Sequence, residues 1–320
     1  MRCAAHLKRR YTEHEGHDAL NLRTIAETGL IHWYVFFSCF SFLLGACIGS
    51  FLNVCIYRIP IEQSIVKPRS HCPHCEKMIP WFSNIPLVSY IVLRARCAEC
   101  GGKISARYFL VELLVAVLFL LVWFKLAFFG ARPLLGLDPV YNWALIPVFW
   151  LVVYGLVLGT FVDFEHFIIP DRVTLGGIVA GLLISVALPE LHATDSVLVS
   201  LLRACFGLAV GWGSLWLISV LGRIAFKKDA MGFGDVKLMG AIGAFFGWRA
   251  VLFTLIVSSF VGAISGVTMV AVGKREMQSR IPFGPYISLA ALLWMLWGGG
   301  WWNAYIDLMT PDYSTGPYMP

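Results

Sequence analysis

From Phe109 to Phe129 the chain runs for twenty-one residues with only two charges, Glu112 and Lys125. A helix of that length rises about 30 Å, the thickness of a bilayer's hydrocarbon core. Similar blocks recur at about 31–57, 143–162, 173–189, 197–222, 235–248, 251–273 and 282–300. Inside lipid, each backbone N–H and C=O must be satisfied within its own segment, so blocks of this kind become helices. Composition agrees: 58% of the 320 residues are hydrophobic and 14% are charged, against roughly 25% charged in soluble domains. The expected fold is an all-α polytopic membrane protein with about eight transmembrane helices.

The net charge of +6 is not read as a sign of nucleic acid, because in a membrane chain the location of the positive charge carries the information. Between the first two spans lies the one long polar segment, residues 59–108, with Lys67, Arg69, Lys77, Arg94, Arg96, Lys103 and Arg107. Placing it in the cytoplasm puts Arg172, Arg223, Lys227, Lys228, Lys274, Arg275 and Arg280 on the same side. Only Arg132 and Arg249 are left in the opposite loops. The five basic residues of 1–29 run against this assignment. The chain then divides into a polar N-terminal extension (1–29), a first span (30–58), a cytoplasmic loop (59–108), a seven-span core (109–302) and a tail (303–320). No signal-peptide pattern can be drawn over the extension.

Of nine cysteines, Cys39, Cys47, Cys55 and Cys205 lie in apolar runs and read as small packing residues. Cys72-Pro-His-Cys75 and Cys97-Ala-Glu-Cys100 form two CxxC pairs in the polar loop. Paired knuckles at this spacing make a closed four-thiolate site, the usual geometry of structural zinc. Four thiolates leave no position for water, and a loop this small needs the ion to complete its fold. His71 and His74 are the alternative ligands, and reduced thiols without metal or an iron–sulfur cluster are the alternative states.

Two acidic residues sit where apolar helices end. Asp235 follows two glycines in Met231-Gly-Phe-Gly-Asp-Val-Lys237, and Asp163 ends the run 151–162. Gly232 and Gly234 leave the backbone beside Asp235 free for the close approach of another chain. An ionisable residue at such a position is costly unless it has a use. Both fall at the cytoplasmic end of their spans, so they are expected to meet. Two adjacent carboxylates sharing one proton can serve as base and acid in peptide hydrolysis. Taken singly, Asp163 reads as a solvated loop carboxylate and Asp235 as a helix N-terminal residue favouring the dipole. Glu165 and His166 are expected in solvent, Asp171 as a helix-starting residue and Lys237 on lipid phosphate, with lowering of a nearby carboxylate's pKa as its alternative. Glu112 is a candidate contact for a cofactor or amine, with pairing to Arg107 or Arg58 as its alternative.

Six motifs in order resemble the type IV prepilin leader peptidases, members of the GxGD intramembrane aspartyl proteases. They are Gly49-Ser-Phe-Leu-Asn-Val-Cys-Ile-Tyr-Arg-Ile-Pro60, the double CxxC, Tyr108-Phe-Leu-Val-Glu112, Asp163-Phe-Glu-His-Phe-Ile-Ile-Pro-Asp171-Arg-Val-Thr174, Gly232-Phe-Gly-Asp-Val-Lys237 and Ile281-Pro-Phe-Gly-Pro-Tyr286. The resemblance implies cleavage of a basic leader from prepilins or pseudopilins at the cytoplasmic face of the bacterial inner membrane. It gives Asp163 and Asp235 as the catalytic pair and Cys72, Cys75, Cys97 and Cys100 as zinc ligands. It also implies N-methylation of the new N-terminus with S-adenosylmethionine. No Rossmann-type glycine fingerprint supports that second activity. The chain departs from the pattern at Lys227-Lys-Asp-Ala-Met231, where more glycine is expected, and at Ala95, where glycine is common. The alternatives are a peptidase without methyltransferase activity and a non-enzymatic membrane assembly factor with a zinc loop.

Overall fold

A computed structural model describes residues 31–128, 143–227, 231–271 and 282–310. The extension 1–29, Arg132, residues 228–230, the basic stretch 274–280 and the last ten residues lie outside them. The described residues fall into two compact units, one ending at His166 and the other beginning at Phe167.

The first unit contains α1 (Ile31–Arg58), a 3-10 turn (Trp81–Asn84), α2 (Val88–Val92), α3 (Ala106–Phe128) and α4 (Leu145–His166). The helices α1 and α3 pack antiparallel in a fixed register. Gly45 lies against Ala116 and Gly49 against Glu112; a Cβ at either glycine would come within 2.7 Å of the facing Cα. Four residues further on, Asn53 Nδ2 donates to the Tyr108 carbonyl at 3.1 Å. Small residues at four-residue spacing allow this approach in lipid, where packing rather than hydrophobicity drives association. The other ends are tied by Trp123 Nε1, which donates to Ser38 Oγ at 3.0 Å. Trp150 of α4 stacks on Phe119 with centroids 5.0 Å apart. Arg58 is buried, 7% exposed. Its guanidinium donates to the Ser64 and Pro68 carbonyls at 2.9 and 2.8 Å, which fixes the start of the polar loop.

The second unit contains α5 (Asp171–Ala187), α6 (Val197–Phe226), α7 (Phe233–Ala271), α8 (Gly284–Leu293) and α9 (Gly299–Met309). The α6–α7 pair is the most extensive. Gly207 and Gly243 meet backbone to backbone there, with no room for a side chain on either. The two spans expected at 235–248 and 251–273 are the two helical segments of α7, separated at Gly247, where φ is 75° and ψ 178° and the backbone leaves the helix. Beyond α8 the helix continues through a π-helical turn at Trp294–Gly298 into α9. It therefore runs to Met309, past the tail boundary expected at 302.

Among the described residues, five helices, α1, α3, α4, α6 and α7, are long and apolar enough to cross a membrane. The expected eight is reached only when α7 counts as two passes and α5 and the α8–α9 run as one each.

Candidate active site and metal centre

The four loop cysteines come together. Their sulfurs all lie within 4.8 Å of one another, and Cys72 Sγ is 3.9 Å from Cys100 Sγ. Tetrahedral zinc with bonds of about 2.3 Å separates its sulfurs by about 3.8 Å, so the donor set fits that ion. His71 and His74 are not part of the cluster.

The two knuckles are copies of one backbone design. The Cys72 N–H donates to the Lys77 carbonyl and the Glu76 N–H to the Cys72 carbonyl. In the second knuckle, Cys97 donates to Gly102 and Gly101 to Cys97. Outside these, Ile79 donates to Ser70 and Ile104 to Ala95, and the bridges His71–Met78 and Arg96–Lys103 close each hairpin. The repeat puts Glu76 and Gly101 at equivalent positions, both left-handed, with φ of 57° and 68°. Ala95 is also left-handed, at φ 58°, which is the physical reason a glycine suits that position. Lys77 Nζ reaches Glu99 Oε2 at 2.6 Å and ties one knuckle to the other. Backbone N–H groups of Cys100 and Glu99 lower the Cys97 thiol to about 7. At Cys100 the Gly102 N–H pulls downward, but desolvation and the neighbouring thiols outweigh it and push the group up to about 11. Metal uptake therefore displaces protons and weakens as pH falls.

The aspartates stand one in each unit. Asp163 lies in the last turn of α4 and is 5% exposed. Asp235 lies in the first turn of α7 and is 7% exposed. Its N–H donates to the Gly232 carbonyl at 3.2 Å, which sets the turn into the helix. Among the described residues, a Cβ on Gly232 would meet only Asp235 Oδ2, at 3.4 Å. Gly234 packs on Ile169, where a Cβ would come within 3.2 Å.

The charges around them are paired across elements. Glu165 is exposed, as expected, and takes Arg107 as its partner, which ties the end of α4 to the start of α3. Lys237 takes a carboxylate, the alternative to lipid phosphate: its ammonium lies 2.6 Å from Asp171 Oδ1 and 5.3 Å from the Phe233 ring centroid. Asp171 thereby joins the first turn of α5 to the first turn of α7. Glu112 pairs with neither Arg107 nor Arg58. Its buried Oε2 accepts the Leu87 N–H at 2.8 Å, with Ser50 as a second partner. Sequence reasoning missed Leu87 and His192. The Leu87 backbone is left-handed, at φ 63°, and no residue type marks it. His192, 2% exposed, places Nε2 3.1 Å from the Ala244 carbonyl. A histidine in the short link between two apolar blocks was its only signal.

Comparison with known proteins now bears on this geometry. Residues 43–126 match the bacterial peptidase A24 N-terminal domain, and residues 140–267 match the type IV leader peptidase family. Over 281 residues the chain is 35% identical to a prepilin leader peptidase/N-methyltransferase of Aeromonas hydrophila, covering 80% of this chain and 89% of that one. A protein of the same description from Legionella pneumophila is 34% identical over 287 residues, with 82% and 92% covered. Another, from Myxococcus xanthus, is 40% identical over 239 residues, covering 75% of this chain and 65% of the relative's length. No solved structure matches with significance.

Proposed function

This chain belongs to the type IV leader peptidase family, and we propose from that premise that Asp163 and Asp235 are its catalytic pair. The observation that carries the reading is burial. Two carboxylates, each at the end of an apolar helix, are withdrawn from water, and that cost is retained only where the groups have a use.

In the proposed reaction the pair shares one proton. The ionised carboxylate takes a proton from water as its oxygen attacks the scissile carbonyl, and the protonated partner gives its proton to the carbonyl oxygen. Collapse of the tetrahedral adduct breaks the C–N bond. The amine leaves with a proton from the carboxyl that had acted as base. The products are the leader's carboxylate and a new N-terminal amine. The missing side chain at Gly232 leaves space beside Asp235 for an extended substrate backbone, and Lys237–Asp171 steadies the turn that carries the carboxylate. The substrates are prepilins or pseudopilins, cut at the cytoplasmic face of the bacterial inner membrane.

The cysteines hold a structural zinc ion that orders the polar loop. The relatives' description as N-methyltransferases supports a second step, in which S-adenosylmethionine supplies an electrophilic methyl group to the new amine. Glu112 is engaged by Leu87 and Ser50. We give it the role of bracketing the loop and assign no residue to that cofactor.

Co-expression with a prepilin tests the reading. Leader loss is followed on a gel, and the mature N-terminus by mass spectrometry. Asp163→Asn and Asp235→Asn should each abolish cleavage while the protein accumulates normally in the membrane. Normal processing by either variant would refute the pair, and a cleaved but unmethylated product would reduce the proposal to the peptidase alone.

A further inference from the structure

Between the two knuckles the chain turns apolar and leaves its apolar side chains uncovered. Trp81 is 74% exposed, Phe82 59%, Ile85 41%, Val88 52%, Ile91 64% and Val92 71%. In water such a patch is a liability, since contiguous exposed apolar surface marks an interaction site. The position of the segment relative to α3 identifies what covers it. The Leu87 N–H reaches Glu112 Oε2, and Tyr90 stacks on Phe109 with centroids 5.2 Å apart. Glu112 is the seventh residue of α3, about 9 Å along its axis from the first. The segment thus lies beside the first two turns of a helix that is itself a candidate membrane span, Ala106–Ala127. It does not stand off in the aqueous phase with the knuckles. Interfacial elements seat at this depth, about 5–10 Å into the headgroup–acyl boundary. Tryptophan and tyrosine are enriched there because their rings are apolar and their tips polar. Immediately afterwards come Arg94 and Arg96, both exposed, where lipid phosphates would meet them.

We propose that residues 80–92 are a membrane-seating element, dipped into the boundary of an anionic leaflet beside α3. The element anchors the knuckles sideways as well as at their two chain ends. The zinc site is then held at a fixed height over the bilayer, independent of whether Asp163 and Asp235 form the catalytic pair.

The test uses the full chain in vesicles of phosphatidylethanolamine and phosphatidylglycerol. The photocrosslinker p-benzoylphenylalanine replaces Trp81 or Ile91, or Lys103 as the water-facing control, and adducts are identified by mass spectrometry. Lipid adducts several-fold more abundant at positions 81 and 91 than at 103 are expected, with no change when prepilin is added. Equal labelling at all three positions overturns the proposal. So does capture by added prepilin in place of lipid, which would make the patch a substrate-docking surface. Amide exchange of the 80–92 backbone, slower in the vesicles than in a short-chain detergent, is the second expected result. Equal exchange in both also overturns it.

Discussion

The repeat in the zinc loop supports a swap experiment whose outcome follows from backbone angles alone. Glu76 holds φ at 57° where the other knuckle has Gly101 at 68°. A left-handed conformation costs an L-residue about 1–2 kcal/mol, and glycine's extra freedom in the unfolded chain returns about 0.5–1 kcal/mol of that difference. Glu76→Gly should therefore stabilise its knuckle by about 0.5–1 kcal/mol. Metal binding and knuckle folding are coupled, so the gain appears as zinc affinity, roughly twofold to fivefold tighter. Gly101→Glu should weaken it by a similar factor. A Cβ at Gly101 meets nothing within 4 Å, so no clash adds to the backbone cost. The doubly swapped chain should lie near the wild type. Glu76→Gln serves as the charge control, because removing an acid near an anionic thiolate centre tightens metal binding on its own. Competition with a chromophoric chelator, using the full-length protein in detergent, reads all four variants. If Glu76→Gly binds no tighter than Glu76→Gln, or Gly101→Glu is not weakened, the equivalence of the two knuckles is wrong.

Two further outcomes are expected. Asp171→Asn or Lys237→Met should each cost about 0.5–1 kcal/mol, the pair being part-exposed, and slow leader cleavage roughly twofold to fivefold; the charge-swapped double variant should recover much of it, and an unchanged kcat in both single variants would dismiss the positioning role. Burial lowers the His192 imidazole from its usual 6.5 to about 4, so the unfolded chain takes up a proton below pH 6.5 that the folded chain refuses. Stability is then full above pH 6.5 and falls toward pH 4, by about 2 kcal/mol at pH 5. Thermal melts in detergent should show this slope and His192→Gln should flatten it; a parallel profile in the variant would count against it.

The sequence carried the helical class and the four sulfurs because both rest on short-range signals. A block of twenty apolar residues and a pair of CxxC knuckles need no knowledge of what lies across the fold. It left the partners of Glu165, Lys237 and Arg58 unread for the converse reason. A charged residue at a helix end looks solvated until the partner on another element is known. Arg107 and Asp171, the partners of the first two, lie 58 and 66 residues away. The Arg58 carbonyl partners are near in sequence, but its burial under the loop follows from a backbone path that side-chain types do not encode. Gly247 was hidden differently. The break between the spans at 235–248 and 251–273 was legible, but not the single residue that makes it, whose φ of 75° and ψ of 178° leave the helix. Ala95 was visible only as an odd residue, and its φ of 58° supplies the cause.

The antiparallel seam of α1 and α3 has a consequence for how the polar loop orders itself. Its ends, Arg58 and Ala106, are brought side by side by the Asn53–Tyr108 bond and the two glycine contacts. Once those helices are inserted, a ring of some fifty residues is already shut, and the entropy of shutting it, about 3 kcal/mol, has been met by the bilayer. The ion then has only the interior of that ring to organise. Assembly is thereby biased toward a sequence in which lipid acts first and metal second, and a protein caught between those steps would carry an open, chelating loop on an otherwise finished hairpin.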